Sequence, residues 1–322
     1  MIKKWDEIQQ SSEWKNEKNS LLLGNGFSIN IHHGFQYNSL LDNIDKNKGL
    51  MYPHARDIFN KLDTSNFEEI LRVVYHAYLV NFYNLDAIKT LYLNIRKALI
   101  ESVKLSHVAH SDVPRIEIEK EFSKYSSIFT TNYDLITYWS INFYKYCDFF
   151  WEGTFNVFNT DVWPGKIPIY YLHGAIHLKI NKDGKTIKVS ANKNQSIQEV
   201  IKINFGNDTP LFISEGKYQM KERRILENDY LSFCFNKLRN IEDRIVIFGH
   251  SLSDEYDKHI LDALKNGKST CIAISVFSKL SMTEKNVFVS KINNHFSGAN
   301  KKLYFFESSS HPLALPNIKS VL

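Results

Sequence analysis

Four apolar runs in this chain end in residues whose types could do chemistry. Ser20-Leu-Leu-Leu feeds Gly24-Asn25-Gly26-Phe27-Ser28, and Ser127-Ile-Phe-Thr130 feeds Thr131-Asn132-Tyr133-Asp134. Pro168-Ile-Tyr-Tyr-Leu172 ends at His173-Gly174, and Arg244-Ile-Val-Ile-Phe248 ends at Gly249-His250-Ser251-Leu252. A strand that turns through glycines into a helix start lets a phosphate approach the backbone and meet free N–H groups. The full dinucleotide fingerprint would place a third glycine at position 29, where this chain has Ile29. The turn therefore reads either as a phosphate cradle or as a strand–turn–helix that uses glycines for the turn alone. Asn132 and Asp134 stand where a parallel sheet faces its ligand crevice, and either could equally cap the following helix. Ser251 carries the same two readings. His173 is a titratable group at a strand end, a place held by structural and ligand-facing histidines alike. His177 follows four residues later with no carboxylate between them in the HExxH manner, so no metal site is assigned.

The elements that must position these residues alternate. Strands are expected at the four runs above, at Cys271–Phe277 and at Leu303–Phe306, with helices between them. The pattern is that of an α/β protein with a Rossmann-like, doubly wound parallel sheet in a single domain over residues 1–322. Residues 55–123 read as a helical insertion between the first two strands. Asp63-Thr-Ser-Asn66 supplies caps before Phe67, and a second long helix is expected over Leu85–Val103. Residues 179–210 read as a small loop or β excursion, with Asp183-Gly184 as a hairpin signal, and Glu215-Gly216 as loop. Residues 1–19 suggest one short amphipathic helix anchored by Trp5, Ile8 and Trp14.

Composition narrows the class. The chain has 322 residues and a formal charge of +5, with its basic clusters short and scattered, so a nucleic-acid partner is not expected. Its three cysteines lie far apart in apolar settings and have no zinc spacing, as expected of buried free thiols in a reducing compartment. No apolar signal region opens the chain and no stretch is long enough to span a bilayer. A soluble cytoplasmic protein is the expectation.

Taken in order, the four strand ends resemble the sirtuin-like superfamily, whose members carry a glycine-rich turn with Ser, a Thr-x-Asn-x-Asp motif, a His-Gly motif and a Gly-x-Ser-Leu turn. The chain is more closely similar to the bacterial sirtuin-like proteins of antiphage defence, which hydrolyse NAD rather than deacylate protein. The resemblance covers about residues 20 to 310. Two features of protein-deacylating sirtuins are missing: the four-cysteine zinc module, and the Gly-Ile-Pro-Asp-Phe-Arg segment, whose place is taken by His33-Gly34-Phe35-Gln36.

The resemblance implies NAD as substrate, no metal, and cleavage of the nicotinamide–ribose bond through an oxocarbenium-like state. It implies His173 as general base, Asn132 as the group orienting ribose and water, and Asp134 as its support. Gly24, Asn25, Gly26 and Ser28 would cradle the diphosphate, joined by Thr131, Gly249 and Ser251. An oligomer or an activating partner protein would gate the reaction. ADP-ribosyl transfer to a macromolecule and a catalytically silent nucleotide-binding module are the other functions such a site could serve.

Overall fold

The computed structural model describes residues 1–106, 109–150, 156–160, 165–190, 199, 210–213, 218–314 and 318. Its strands are β1 (Ile2–Lys3), β2 (Asn19–Leu23), β3 (Ser127–Thr130), β4 (Tyr146–Cys147), β5 (Ile167–Tyr171), β6 (Leu178–Ile180), β7 (Thr186–Lys188), β8 (Arg244–Phe248), β9 (Cys271–Val276) and β10 (Lys302–Glu307). Eight of them form one sheet in the order β1-β10-β9-β8-β2-β3-β5-β4, with parallel pairing. The central strands are uninterrupted apolar runs because helices cover both faces, leaving no solvent side to call for alternation. Leu21, Leu22 and Leu23 of β2 and all six residues of β9 are buried.

The order β5-β3-β2-β8-β9-β10 is that of the dinucleotide-binding doubly wound sheet, and its direction reverses between β2 and β8. The crevice of such a sheet opens at the carboxyl ends flanking that switch point. Register brings those ends level: Leu23 pairs with both Thr130 and Phe248, and Thr130 pairs with Tyr171. Gly24, Thr131, Gly249 and the His173 segment therefore share one rim.

Helices Asn25–Ile31, Tyr37–Lys46, Pro53–Lys61, Phe67–Val80, Leu85–Ser106 and Arg115–Phe122 lie between β2 and β3. The helical segment thus begins well before residue 55. Helix Phe67–Val80 is capped by Asn66, whose Oδ1 accepts from Glu68 N at 3.0 Å, and it buries Ile70, Leu71 and Val74. The excursion is antiparallel where it is described: β6 and β7 pair across the Asp183-Gly184 turn, while 191–198 and 200–209 lie outside the described residues, as do Glu215 and Gly216.

The amino-terminal segment differs from the single helix its sequence suggests. Ile2–Lys3 pairs with β10 and only Trp5–Gln9 is helical. Trp5 packs on Phe306 at 4.9 Å and its backbone N–H donates to Ser310 Oγ at 2.8 Å. Two-residue strands such as β1 and β4 carry no period, so pattern alone cannot find them. The cysteines are all buried and free. Among the described residues, no helix is long and apolar enough to cross a membrane.

Candidate active site

The floor of the crevice is made by two turns that cross in contact. Gly24 N donates to Phe248 O at 3.0 Å, and Gly26 N donates to Gly249 O at 2.7 Å. Gly249 has φ +70°, and a Cβ there would lie 2.5 Å from Phe27 N. A Cβ on Gly24 would fall 2.5 Å from His250 Cα, and one on Gly26 2.8 Å from Gly249 Cα. The glycines are therefore required first by the approach of the two turns, and one helix-start N–H is already used between them. Gly249→Ala is expected to destabilise the protein by about 2 kcal/mol, from the left-handed backbone and the displaced turn together. A denaturant titration of the two proteins checks this.

Above the floor is a cavity of about 890 Å³, within the range of roughly 300–1,000 Å³ usual for ligand clefts. Asn25, Gly26, Thr131, Asn132, Asp134, His173, Gly249 and Ser251 all line it. Gly24 and Ser28 are absent from its lining and stand behind it. Ser28 is buried and joins two other motifs: its hydroxyl donates to Asp134 Oδ2 at 2.5 Å and accepts from Asn132 Nδ2 at 2.9 Å. Asn132 Nδ2 also donates to Gly24 O at 3.1 Å, fixing the amide plane. Its Oδ1 is buried and has no hydrogen-bond partner. An amide held by two donated bonds with its carbonyl unsatisfied is a polar handle for a ligand hydroxyl or a water. Asp134 does cap its helix, accepting from Ile136 N at 2.8 Å while also holding Ser28. Burial pushes its carboxyl up, against those hydrogen bonds. Thr131 is tied to the floor through Leu23 O. Ser253 and Asp254 lie ahead of helix Lys258–Asn266, and Asp254 pairs with Lys291 at 3.0 Å.

At the other end of the cavity, His173 and His250 are backed by groups that the strand-end motifs did not point to. His173 Nε2 lies 2.8 Å from His259 Nε2, with the rings stacked at 5.0 Å. His250, in the β8 turn, has its Nδ1 fixed by Leu252 N and its Nε2 buried without a partner. Lys221, 1% exposed, donates to Glu68 Oε2 at 2.9 Å and stands 3.5 Å from Asp257 Oδ1. Burial pushes His173 well down, reinforced by His259 and Lys221. Burial likewise lowers His250, and it takes His259 to about 3. Burial alone would raise Asp257, but the Lys221 ammonium outweighs it and holds that carboxyl well below the usual range. Lys221, Asp257 and His259 follow no apolar run, which is why the sequence pattern passes over them.

His173, Asp257 and His259 place donor atoms within 4.8 Å of one another, a spacing that a metal could use. Two imidazoles on a tetrahedral zinc would stand about 3.4 Å apart. The 2.8 Å contact between them is a hydrogen bond, and the Lys221 ammonium already supplies the positive charge beside Asp257. The trio fits an imidazole pair with a lysine counter-charge better than a metal.

His173, His177, His250, His259 and His311 are all buried with lowered pKa values. Above the ordinary imidazole value both folded and unfolded forms are neutral and these groups exact no penalty. As pH falls below about 6.5 the unfolded chain takes up protons that the folded one refuses, so stability drops by about 1.4 kcal/mol per pH unit for each such group. Urea denaturation at pH 7.5 and pH 5.5 should show the lower midpoint at pH 5.5.

Fold and site together define a Rossmann-like α/β protein with a cavity at the switch point of its sheet, polar at every contributing strand end. Over residues 21–313 the chain matches the family described as Domain of unknown function (DUF4917), and it belongs to that family. No curated protein matches the chain. Two solved structures are similar to it at 11% sequence identity. One is a Sir2 mutant with a p53 peptide and NAD, at a TM-score of 0.34 over 96% of this chain and 92% of that one. The other is a Sir2 homologue mutant in complex with ADP ribose, at a TM-score of 0.33 over 88% and 95%.

Proposed function

We propose that the chain is an NAD glycohydrolase that cleaves the nicotinamide–ribose bond, with NAD depletion in antiphage defence as its use. The observation that carries this reading is the meeting of Asn132, with its unsatisfied carbonyl, and His173, with its held imidazole, in one cavity on the sheet's switch point. The lining reaches from Lys279, beyond β9, to His173, beyond β5. Those strands are four spacings apart, about 19 Å, which suits an extended dinucleotide rather than a small sugar. In this arrangement the diphosphate crosses the side-chain-free floor, with Asn25 and Ser251 beside it.

In the reaction the C1′–N bond breaks and its electron pair neutralises the departing nicotinamide ring. Water oxygen then bonds to C1′ and its proton passes to a base. His173 serves as that base by donating its Nε2 hydrogen to His259 Nε2, which leaves the Nδ1 lone pair free. Its lowered pKa keeps it unprotonated at neutral pH, as a general base requires. Asn132 Oδ1 accepts from a ribose hydroxyl or from the water, and the Ser28–Asp134 pair keeps the amide in place. The test is an NAD-consumption assay on the purified protein beside Asn132→Ala, with nicotinamide, ADP-ribose and cyclic ADP-ribose resolved. Free ADP-ribose from wild type, lost in the variant, supports hydrolysis. Label retained on protein would mean ADP-ribosyl transfer, and binding without turnover would mean a silent module.

A further inference from the structure

The wall of the cavity carries an ion network that neither the crossing turns nor the nucleotide cradle requires. Glu68, on the first turn of helix Phe67–Val80, and Asp257, just before helix Lys258–Asn266, both line the cavity and are each 13% exposed. Lys221 lies behind them, buried, and bonds to both. Tyr37, also on the lining, hydrogen-bonds Glu68. With both carboxylates ionised, one ammonium between them leaves a net negative charge on the wall, and the three neighbouring imidazoles, His173, His250 and His259, stay neutral and do not cancel it. Burying three charges carries a desolvation cost that a well-packed apolar contact would avoid. A link that merely tied three helices together would not need them.

We propose that Glu68 is a catalytic carboxylate of this site, facing the ribose and stabilising the positive charge that develops at C1′ as the bond to nicotinamide breaks, with Lys221 as its positioning residue. The inference rests on the reading of the site as one for NAD cleavage. Charge stabilisation accelerates a reaction only if it is stronger in the transition state than before it. Glu68 has that margin. Burial pushes its carboxyl up, so a nearby positive charge has more to relieve there than at Asp257, which Lys221 already holds ionised. One Glu68 oxygen, Oε2, takes the Lys221 hydrogen bond, which fixes the carboxylate plane against the wall.

The experiment compares full-length wild type, Glu68→Gln, Glu68→Ala and Lys221→Met, each confirmed folded by melting. Glu68→Gln keeps the shape and an acceptor for Lys221 but removes the charge. It should lower kcat by about 10²–10³, as loss of a transition-state electrostatic partner does, with KM little changed. Glu68→Ala should recover part of its turnover when formate is added, since a small carboxylate can occupy the vacated place. A structural tie would show neither signature. An active wild type with Glu68→Gln equally active, or with no formate rescue in Glu68→Ala, overturns the assignment and leaves the NAD-cleavage reading standing. A wild type that does not cleave NAD overturns both.

Discussion

His173→Ala is expected to slow NAD cleavage by about 10²–10⁴, the usual contribution of a general acid–base group. The size of the effect follows from what the ring does at once. The end of β5 places it on the cavity lining, its orientation is set by the 2.8 Å contact with His259, and burial keeps it in the basic form. Alanine removes the lone pair and leaves His259 Nε2 without its partner. That second loss should cost about 1–3 kcal/mol of stability, the penalty of an unpaired buried polar atom, and the protein should still fold. Initial rates of nicotinamide release, with a melting curve on the same sample, separate the two effects. Wild-type turnover in His173→Ala would remove this residue from the mechanism.

Lys188→Met is expected to lower stability by about 3–5 kcal/mol, the cost of leaving a buried charge unpaired. Lys188, on β7, reaches Asp148 with Nζ 2.8 Å from Oδ2 and 3.1 Å from Oδ1, and both side chains are 1% exposed. The ammonium also lies over the Phe143 ring, 4.3 Å from its centroid. Methionine fills the space but leaves the Asp148 carboxylate facing aromatic surface and the Phe150 N–H alone. Replacing both partners, as Asp148→Leu with Lys188→Met, should restore most of the loss, because no charge is then left buried. Denaturant titration of the single and double variants checks this. A single variant as stable as wild type would mean that water reaches the carboxylate.

The strands that build the rim were legible because parallel strands covered on both faces are written as apolar runs, and the polar residue after each run marks where cover ends. Asn132, Asp134, His173 and Ser251 were found by that signal, and all line the cavity. The glycines were legible as turn formers or as a phosphate cradle, and not as the contact between two turns. That Gly26 and Gly249 meet depends on β2 and β8 being neighbours, which no local pattern states. Glu68 reads in sequence as an acidic residue in a helix's first turn, and Lys221 as one charge among many on a polar helix. Their burial is a property of three packed helices, not of either segment. His259 is 86 residues from His173 and belongs to an amphipathic helix, where a histidine gives no sign of its partner.

The crossing of the two turns also has a consequence for how the protein is made. Gly26 and Gly249 meet only when the chain has been synthesised past β8, and the lining continues to Ser308 and Ala314. A contact that closes so long a loop forms late, because the chain entropy it removes must be met by contacts already in place. A growing polypeptide that has not passed β8 therefore has no floor, and one cut before Ser308 lacks part of the lining. Any activity of this cavity would be withheld by topology alone until the chain had been synthesised past β8 and its last lining residues.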